Sequence, residues 1–183
     1  MTIKNPKWSQ TPRPVIINNI KNFKPGTILD LGGSDGINDL FLAEKGFEVT
    51  NVDIDKIALE IMRKEAKLNN LKVETINSDL KDFHIDKNYD NVITLFVLHF
   101  LEKSTAIRII KEIQGNTTVG GLNIIVTFTN NGEFTMNPNN FYPTPEELPD
   151  LYKDWEILNK NIFMAGTKSG KNHERIILVA RKT

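Results

Sequence analysis

Short apolar runs and helical-period segments take turns along this chain. Thr27 to Leu31 is an apolar run that leads into a glycine-rich turn, and Phe47 to Val52 is a second. Both read as buried strands. Between them, Asn38 to Lys45 carries Leu40, Phe41 and Ala43 and stops at Gly46, which reads as a helix. Ile57, Ala58, Ile61, Met62 and Leu68 then recur at helical spacing, with Asp55 placed to cap that helix. Lys72 to Ile76 and Asn91 to Leu95 read as a third and a fourth strand. Ser104 is expected to cap a helix through Ile113 that stops at Gly115. Gly121 to Phe128, rich in β-branched residues, reads as a fifth strand. Near the start, Val15 to Phe23 reads as a helix that ends before Pro25.

Strands separated by helices argue for parallel βαβ units in a doubly wound sheet. The end of the chain departs from that alternation. Trp155 to Phe163 and Ile176 to Arg181 are strand-like runs flanking turn material from Gly166 to Asn172. That is a hairpin signal, so one strand is expected to run antiparallel.

Composition narrows the functional classes. With 183 residues, 39% of them hydrophobic, the chain is expected to form one domain around a sizeable core, residues 1–24 forming an N-terminal helix and flap. Lys+Arg equals Asp+Glu, and the formal net charge is zero. No broad positive field is expected to gather nucleic acid. The absence of cysteine excludes thiol nucleophiles, disulfides and cysteine metal sites, fits a cytoplasmic setting, and leaves no metal site expected. No apolar stretch approaches the roughly 20 residues that span a bilayer, so no membrane partner is expected. Either a monomer or a homodimer fits.

The most informative segment is Ile28-Leu29-Asp30-Leu31-Gly32-Gly33-Ser34-Asp35-Gly36, between a strand and a helix. Gly32, Gly33, Ser34 and Gly36 let the backbone pass close to a ligand, and the helix N-terminus offers free N–H groups to a carboxylate. Asp30 can face a ligand ammonium. A dinucleotide fingerprint needs glycine at relative positions one, three and six, where this chain has Gly32, Ser34 and Ile37, so that motif fails. Asp53 ends the second strand about twenty positions on, where an acidic residue can take both ribose hydroxyls. Asp79 follows the third strand, where it can accept from an adenine amino group while Ile54 and Leu80 sandwich the ring. The alternatives at these positions are a ligand-free turn, a helix cap and a solvated loop aspartate. Three acidic strand ends nevertheless share the carboxyl edge of the sheet, where open α/β sheets bind ligands.

On these motifs the chain resembles the class I S-adenosylmethionine-dependent methyltransferases, and within them the small tellurite-resistance type. The matching stretches are LDLGGSDGINDLFLAEKGFEVTNVDID, SDLKDF, YDNVITLFVLHFLE, TTVGGLNIIV, FYPTPEELPDLYKDWEI and the terminal ILVARK. The resemblance implies a Rossmann-like α/β fold with a seven-stranded, mostly parallel sheet, helices on both faces and an antiparallel C-terminal hairpin. It implies S-adenosyl-L-methionine as cofactor, held by Asp30, Gly32, Ser34, Gly36, Asp53, Ile54, Asp79 and Leu80, with further contacts at Leu95 and Phe96. Ser34 stands where the family usually has its central glycine, and Gly33 where it usually has cysteine or alanine.

Methyl transfer from a sulfonium is an in-line displacement in which positioning does much of the work, and a base is needed only for a protonated acceptor. His99, just past the fourth strand, lies where this superfamily meets its substrate, as base or orienting group, or else as a hydrogen-bonded structural histidine. Phe134, Phe141 and Tyr142 read as an aromatic lid or as ordinary packing under a loop, with Tyr142 a second catalytic candidate, and Trp8 with Pro12–Pro14 as cover from the other side. His173, Lys171 and Arg175 lie in the hairpin, able to meet an anionic acceptor or simply solvated; Lys168 shares that region. With no cysteine for carbon-5 attack and no appended basic domain, the expected acceptor is a small molecule such as a thiol or a metalloid oxyanion. A non-catalytic cofactor-binding sensor is the alternative.

Overall fold

The computed structural model describes residues 11–133, 137–166 and 170–183. Five strands run parallel: β1 (Thr27–Leu31), β2 (Glu48–Asp53), β3 (Val73–Asn77), β4 (Tyr89–Leu95) and β5 (Thr117–Gly132). Strand β6 (Glu156–Gly166) and strand β7 (Asn172–Arg181) complete a seven-stranded sheet in the order β3-β2-β1-β4-β5-β7-β6. Strand β7 is antiparallel to both β5 and β6, as the hairpin signal requires.

Strand alternation sends successive side chains to opposite faces, and each face has its own core. Leu29 and Leu31 of β1 join Val92 of β4 under helix α4 (Lys103–Asn116) and the short helix α5 (Glu147–Leu151), with Phe141 and Tyr152 fully buried there. Ile28 of β1 joins Ile93 of β4 on the other face, under helix α1 (Pro14–Asn19) and helix α2 (Ile37–Glu44). Asp30 follows the parity of Ile28 and therefore faces the α2 side. Helix α3 (Lys56–Leu68) buries Ala58, Leu59, Met62 and Ala66, and Asp55 caps it by accepting from the Ile57 and Ala58 amides at 2.9 and 3.1 Å.

Several boundaries depart from the sequence pattern for tertiary reasons. Ser104 is not the cap of α4. The helix begins at Lys103 after an extended Glu102, whose entry is fixed by a bridge to Asn140 and by the Lys103 amide donating to the Asn139 carbonyl. Gly115 does not end it either; the helix runs to Asn116 and passes directly into β5. The Lys182 ammonium donates to the carbonyls of Gln114 and Thr117 at 2.7 and 2.8 Å, so a cation from the chain terminus satisfies this helix end instead of a glycine cap. Helix α1 is shorter than expected, with turns from Ile20 to Phe23. Strand β5 is longer, with Gly120 in the left-handed region beside a register shift against β4. Among the described residues no helix is long and apolar enough to cross a membrane.

Candidate cofactor cleft and the groups around it

The chain winds from β1 outward to β3, then returns to β4 on the other side of β1. The carboxyl ends of β1 and β4 therefore part at a topological switch point, and a crevice opens there. It has two lobes that share Gly32, Ser34 and Leu95. One lobe, about 500 Å³, is lined by Asp53, Ile54, Asp79, Leu80, Leu95 and Phe96, with Ser78, Val97 and Phe100 beside them. The other, about 660 Å³, lies between α1 and the glycine turn and includes Arg13, Asp30, Gly33 and Asn38. The structure thus brings together ten of the sequence-predicted cofactor residues. Gly36 stands behind the turn as the N-cap of α2, at φ 74°, where a Cβ would meet the Met62 sulfur at 2.4 Å.

Hydrogen bonds shape the first lobe before any ligand enters. Asp53 Oδ2 accepts from the Ser34 amide at 2.8 Å, and Asp53 Oδ1 accepts from the Asp55 amide at 2.8 Å. Each oxygen retains a lone pair for a hydroxyl donor. Ser34 sits at φ 53° and Phe96 at φ 62°, unusual for non-glycine residues. Both left-handed residues line the cleft, where such backbone strain tends to be kept. The serine in place of a glycine therefore adopts the backbone that glycine would favour, and Asp53 holds it there. Asp79 accepts from the Lys81 amide at 3.0 Å and pairs with its ammonium at 3.2 Å, and its carboxyl lies below the usual range, chiefly through that backbone hydrogen bond.

Behind the second lobe lies a group the sequence pattern did not reveal, Asp39. Asp30, 1% exposed, is hydrogen-bonded to Asp39 of α2, which is fully buried. Asn51 of β2 donates to Asp39 Oδ2 at 2.6 Å. Gly33 makes this possible, since a Cβ there would lie 2.3 Å from the Asn51 amide nitrogen and 2.7 Å from Asp39 Oδ2. Burial raises the pKa of both carboxyls, that of Asp39 to about 6. Among the described residues no N–H or O–H group donates to the buried Asp30 Oδ1, and Asp30 lines a polar lobe. A cationic ligand group suits that oxygen. The one available sequence signal was an acid in the first turn of α2 ahead of the apolar run Leu40-Phe41-Leu42-Ala43.

His99 and Tyr142 line neither lobe. His99 is 4% exposed, in the single turn Leu98–Phe100, with ring centroids 4.2 Å from Phe100, 4.5 Å from Phe128 and 6.2 Å from Tyr142. Burial, then the neighbouring His173, lowers its pKa to about 4, so the ring is neutral at ordinary pH. The Tyr142 hydroxyl is pushed up by burial. His173 is not at a solvated hairpin tip. It is fully buried, edge-on to Phe128 at 4.8 Å, and its Nε2 lies 3.1 Å from the Thr129 carbonyl. Arg13 and Arg175 stand over the Phe96 ring at 5.1 and 5.5 Å, which sets two guanidinium groups beside the junction of the lobes. Trp8, Phe134 and Lys168 lie outside the described residues. Among the described residues no cluster of three or more His, Cys, Asp or Glu side chains could hold a metal ion.

This sheet order, with its acidic strand ends around a glycine turn, defines a Rossmann-like methyltransferase fold. Coclaurine N-methyltransferase has it too: 92% of this chain and 70% of that one superpose with a TM-score of 0.73 at 13% identity, a likeness of fold alone. A family profile described as "Tellurite resistance protein TehB" matches residues 5–180, and the chain belongs to that family. The probable S-adenosyl-L-methionine-dependent methyltransferase TehB of Haemophilus influenzae strain 10810 is 32% identical over 163 residues, which is 88% of this chain and 57% of that protein. The crystal structure of TehB from Haemophilus influenzae superposes with a TM-score of 0.84 at 28% identity, over 93% of this chain and 62% of that one. This chain thus spans a little under two thirds of the length of these relatives.

Proposed function

We propose that this chain is an S-adenosylmethionine-dependent methyltransferase acting on a small, soft, anionic acceptor, a thiolate or a metalloid oxyanion. The observation that carries the proposal is the meeting of Asp30, Asp53 and Asp79 with the Gly32–Ser34 turn in one two-lobed crevice at the switch point. The sulfonium cofactor supplies an electrophilic methyl group on a neutral leaving group. Asp53 takes the ribose hydroxyls with the lone pairs left free by Ser34 and Asp55. Ile54 and Leu80 enclose the base, with Asp79 beside its amino group, and Leu95 and Phe96 line the passage to the second lobe. The orphan oxygen of Asp30 receives the ammonium, and the start of α2 receives the carboxylate. Arg13 and Arg175 bring positive charge to an acceptor that arrives already deprotonated. Such an acceptor needs no base, which agrees with a neutral, buried His99 that packs under the passage through Phe100 and Phe128.

The test is turnover. The protein is incubated with S-adenosylmethionine and a panel of thiols, selenite, tellurite, halides and small amines, and S-adenosylhomocysteine is measured. Turnover with thiols or metalloid oxyanions and none with amines is expected. Tight cofactor binding without turnover on any acceptor would replace the enzyme by a cofactor-binding sensor.

A further inference from the structure

Asp39 lies one layer behind the cleft. It is fully buried on α2, on the same side of the sheet as Asp30, and the two carboxyls are hydrogen-bonded to each other. Two carboxylates have no hydrogen to share, so such a bond requires one proton between them. Among the described groups facing the pair, the Asn51 amide favours a negative charge on Asp39, while the carboxyls of Asp35 and Asp53 make a second charge harder to hold. From β2 come the Asn51 amide and Asp53, from the turn before α2 comes Asp35, and from α3 comes only the Met62 sulfur beside Asn51. Arg13 is a basic residue on the wall of the same lobe; its backbone amide donates to Asn38 and its guanidinium stands over the Phe96 ring. Asn51 satisfies Asp39 Oδ2, while among the described residues no N–H or O–H group donates to Asp39 Oδ1 or Asp30 Oδ1, which leaves them to a proton held by the pair. One proton shared by the pair fits this pattern.

We propose that Asp39 is a positioning residue that shares one proton with Asp30, so that binding the ammonium end of the cofactor expels that proton. The inference rests on the placement of that ammonium at Asp30 given above. A cation beside Asp30 stabilises its ionised form, and linkage then makes affinity rise with pH. Burial raises both carboxyls, that of Asp39 to about 6, which places the effect where it can be measured. In the variant Asp39→Asn, the new amide donates to Asp30 while its oxygen still accepts from Asn51. That amide, and the loss of the Asp39 charge, favour the ionised form of Asp30, so less proton is released.

The experiment is calorimetric titration of the whole chain with S-adenosylhomocysteine and, separately, with methylthioadenosine, which lacks the amino-acid end. The window is about pH 5.5 to 7.5, below the titration of a typical α-amino group. For the wild type, the Kd for S-adenosylhomocysteine should fall on the order of tenfold across the window, with close to one proton released as judged from buffers of different ionisation enthalpy. Methylthioadenosine should show neither effect, and Asp39→Asn should shrink both for S-adenosylhomocysteine while still binding it. Circular dichroism of Asp39→Asn guards against misfolding, and the wild-type comparison of the two ligands stands without the variant. Binding of S-adenosylhomocysteine with no proton release, or an equal slope for methylthioadenosine, would overturn proton sharing alone. No binding of either ligand by the wild type would overturn the cofactor placement and this inference together.

Discussion

Replacing Gly33 by alanine tests whether the buried polar cluster, rather than backbone freedom, keeps this position small. The new Cβ would lie 2.3 Å from the Asn51 amide nitrogen and 2.7 Å from both Asn51 Cγ and Asp39 Oδ2. Asn51 and Asp39 are both fully buried, so neither side chain can swing into water. Two costs follow. Forcing a carbon into a packed interior costs about 1–3 kcal/mol. Moving Asn51 away from Asp39 breaks their 2.6 Å hydrogen bond and leaves a buried carboxyl short of a donor, about 1–3 kcal/mol more. The restricted unfolded chain gives back only about 0.4–1 kcal/mol. The net loss of about 2–4 kcal/mol corresponds to a Tm lower by roughly 5–15 °C for a chain of this size. Scanning calorimetry of the ligand-free protein reads this directly. Adding Asn51→Ser, which vacates the space, should make the double variant less destabilised than the two single changes summed, by on the order of 1 kcal/mol. A Gly33→Ala variant as stable as the wild type would refute the reasoning. The family usually carries cysteine or alanine here, and in this chain Asp39 and Asn51 fill the space a Cβ would need.

His99 should titrate near pH 4 by NMR rather than near its ordinary 6.5. The ring is neutral in the fold and protonates more readily in the unfolded chain, so its contribution to stability is present above about pH 6.5 and is lost as pH falls toward 4; a His99→Gln variant should lose that part of the acid sensitivity in urea titrations. Changing Lys182 to alanine should free the carbonyls of Gln114 and Thr117 at the end of α4 and lower the Tm by a few degrees, about 1–2 kcal/mol.

The elements legible from sequence are those whose pattern is local. Thr27–Leu31 is a strand because a mostly apolar run, with Asp30 its one charged member, can be buried on both faces, and Asp55 caps α3 with its own side chain two and three residues before its partners. The features that escaped the pattern depend on distant chain. Ser104 looked like a cap, but the bridge between Glu102 and Asn140 decides where α4 starts. His173 looked solvated among charged neighbours, yet its strand parity turns it inward onto Phe128 and Thr129. The acidic strand ends were readable because one sheet edge collects them. Asp39 was not, because its partners Asp30 and Asn51 come from two different strands and meet it only after α2 packs on the sheet. The acceptor side was the least legible, since its aromatic rings and arginines come from the N-terminal segment, β4, β5 and β7.

The most direct test of the cofactor cleft is a calorimetric titration of the wild type and of Asp53→Ala with S-adenosylhomocysteine, with NADH as the competing ligand. Asp53 accepts two amides and retains the lone pairs proposed for the ribose. One site per chain is expected in the wild type, at least about tenfold weaker in the variant for the loss of a charge-assisted pair of hydrogen bonds, and no binding of NADH. Equal affinity for S-adenosylhomocysteine in both proteins, or binding of NADH in its place, would contradict the account.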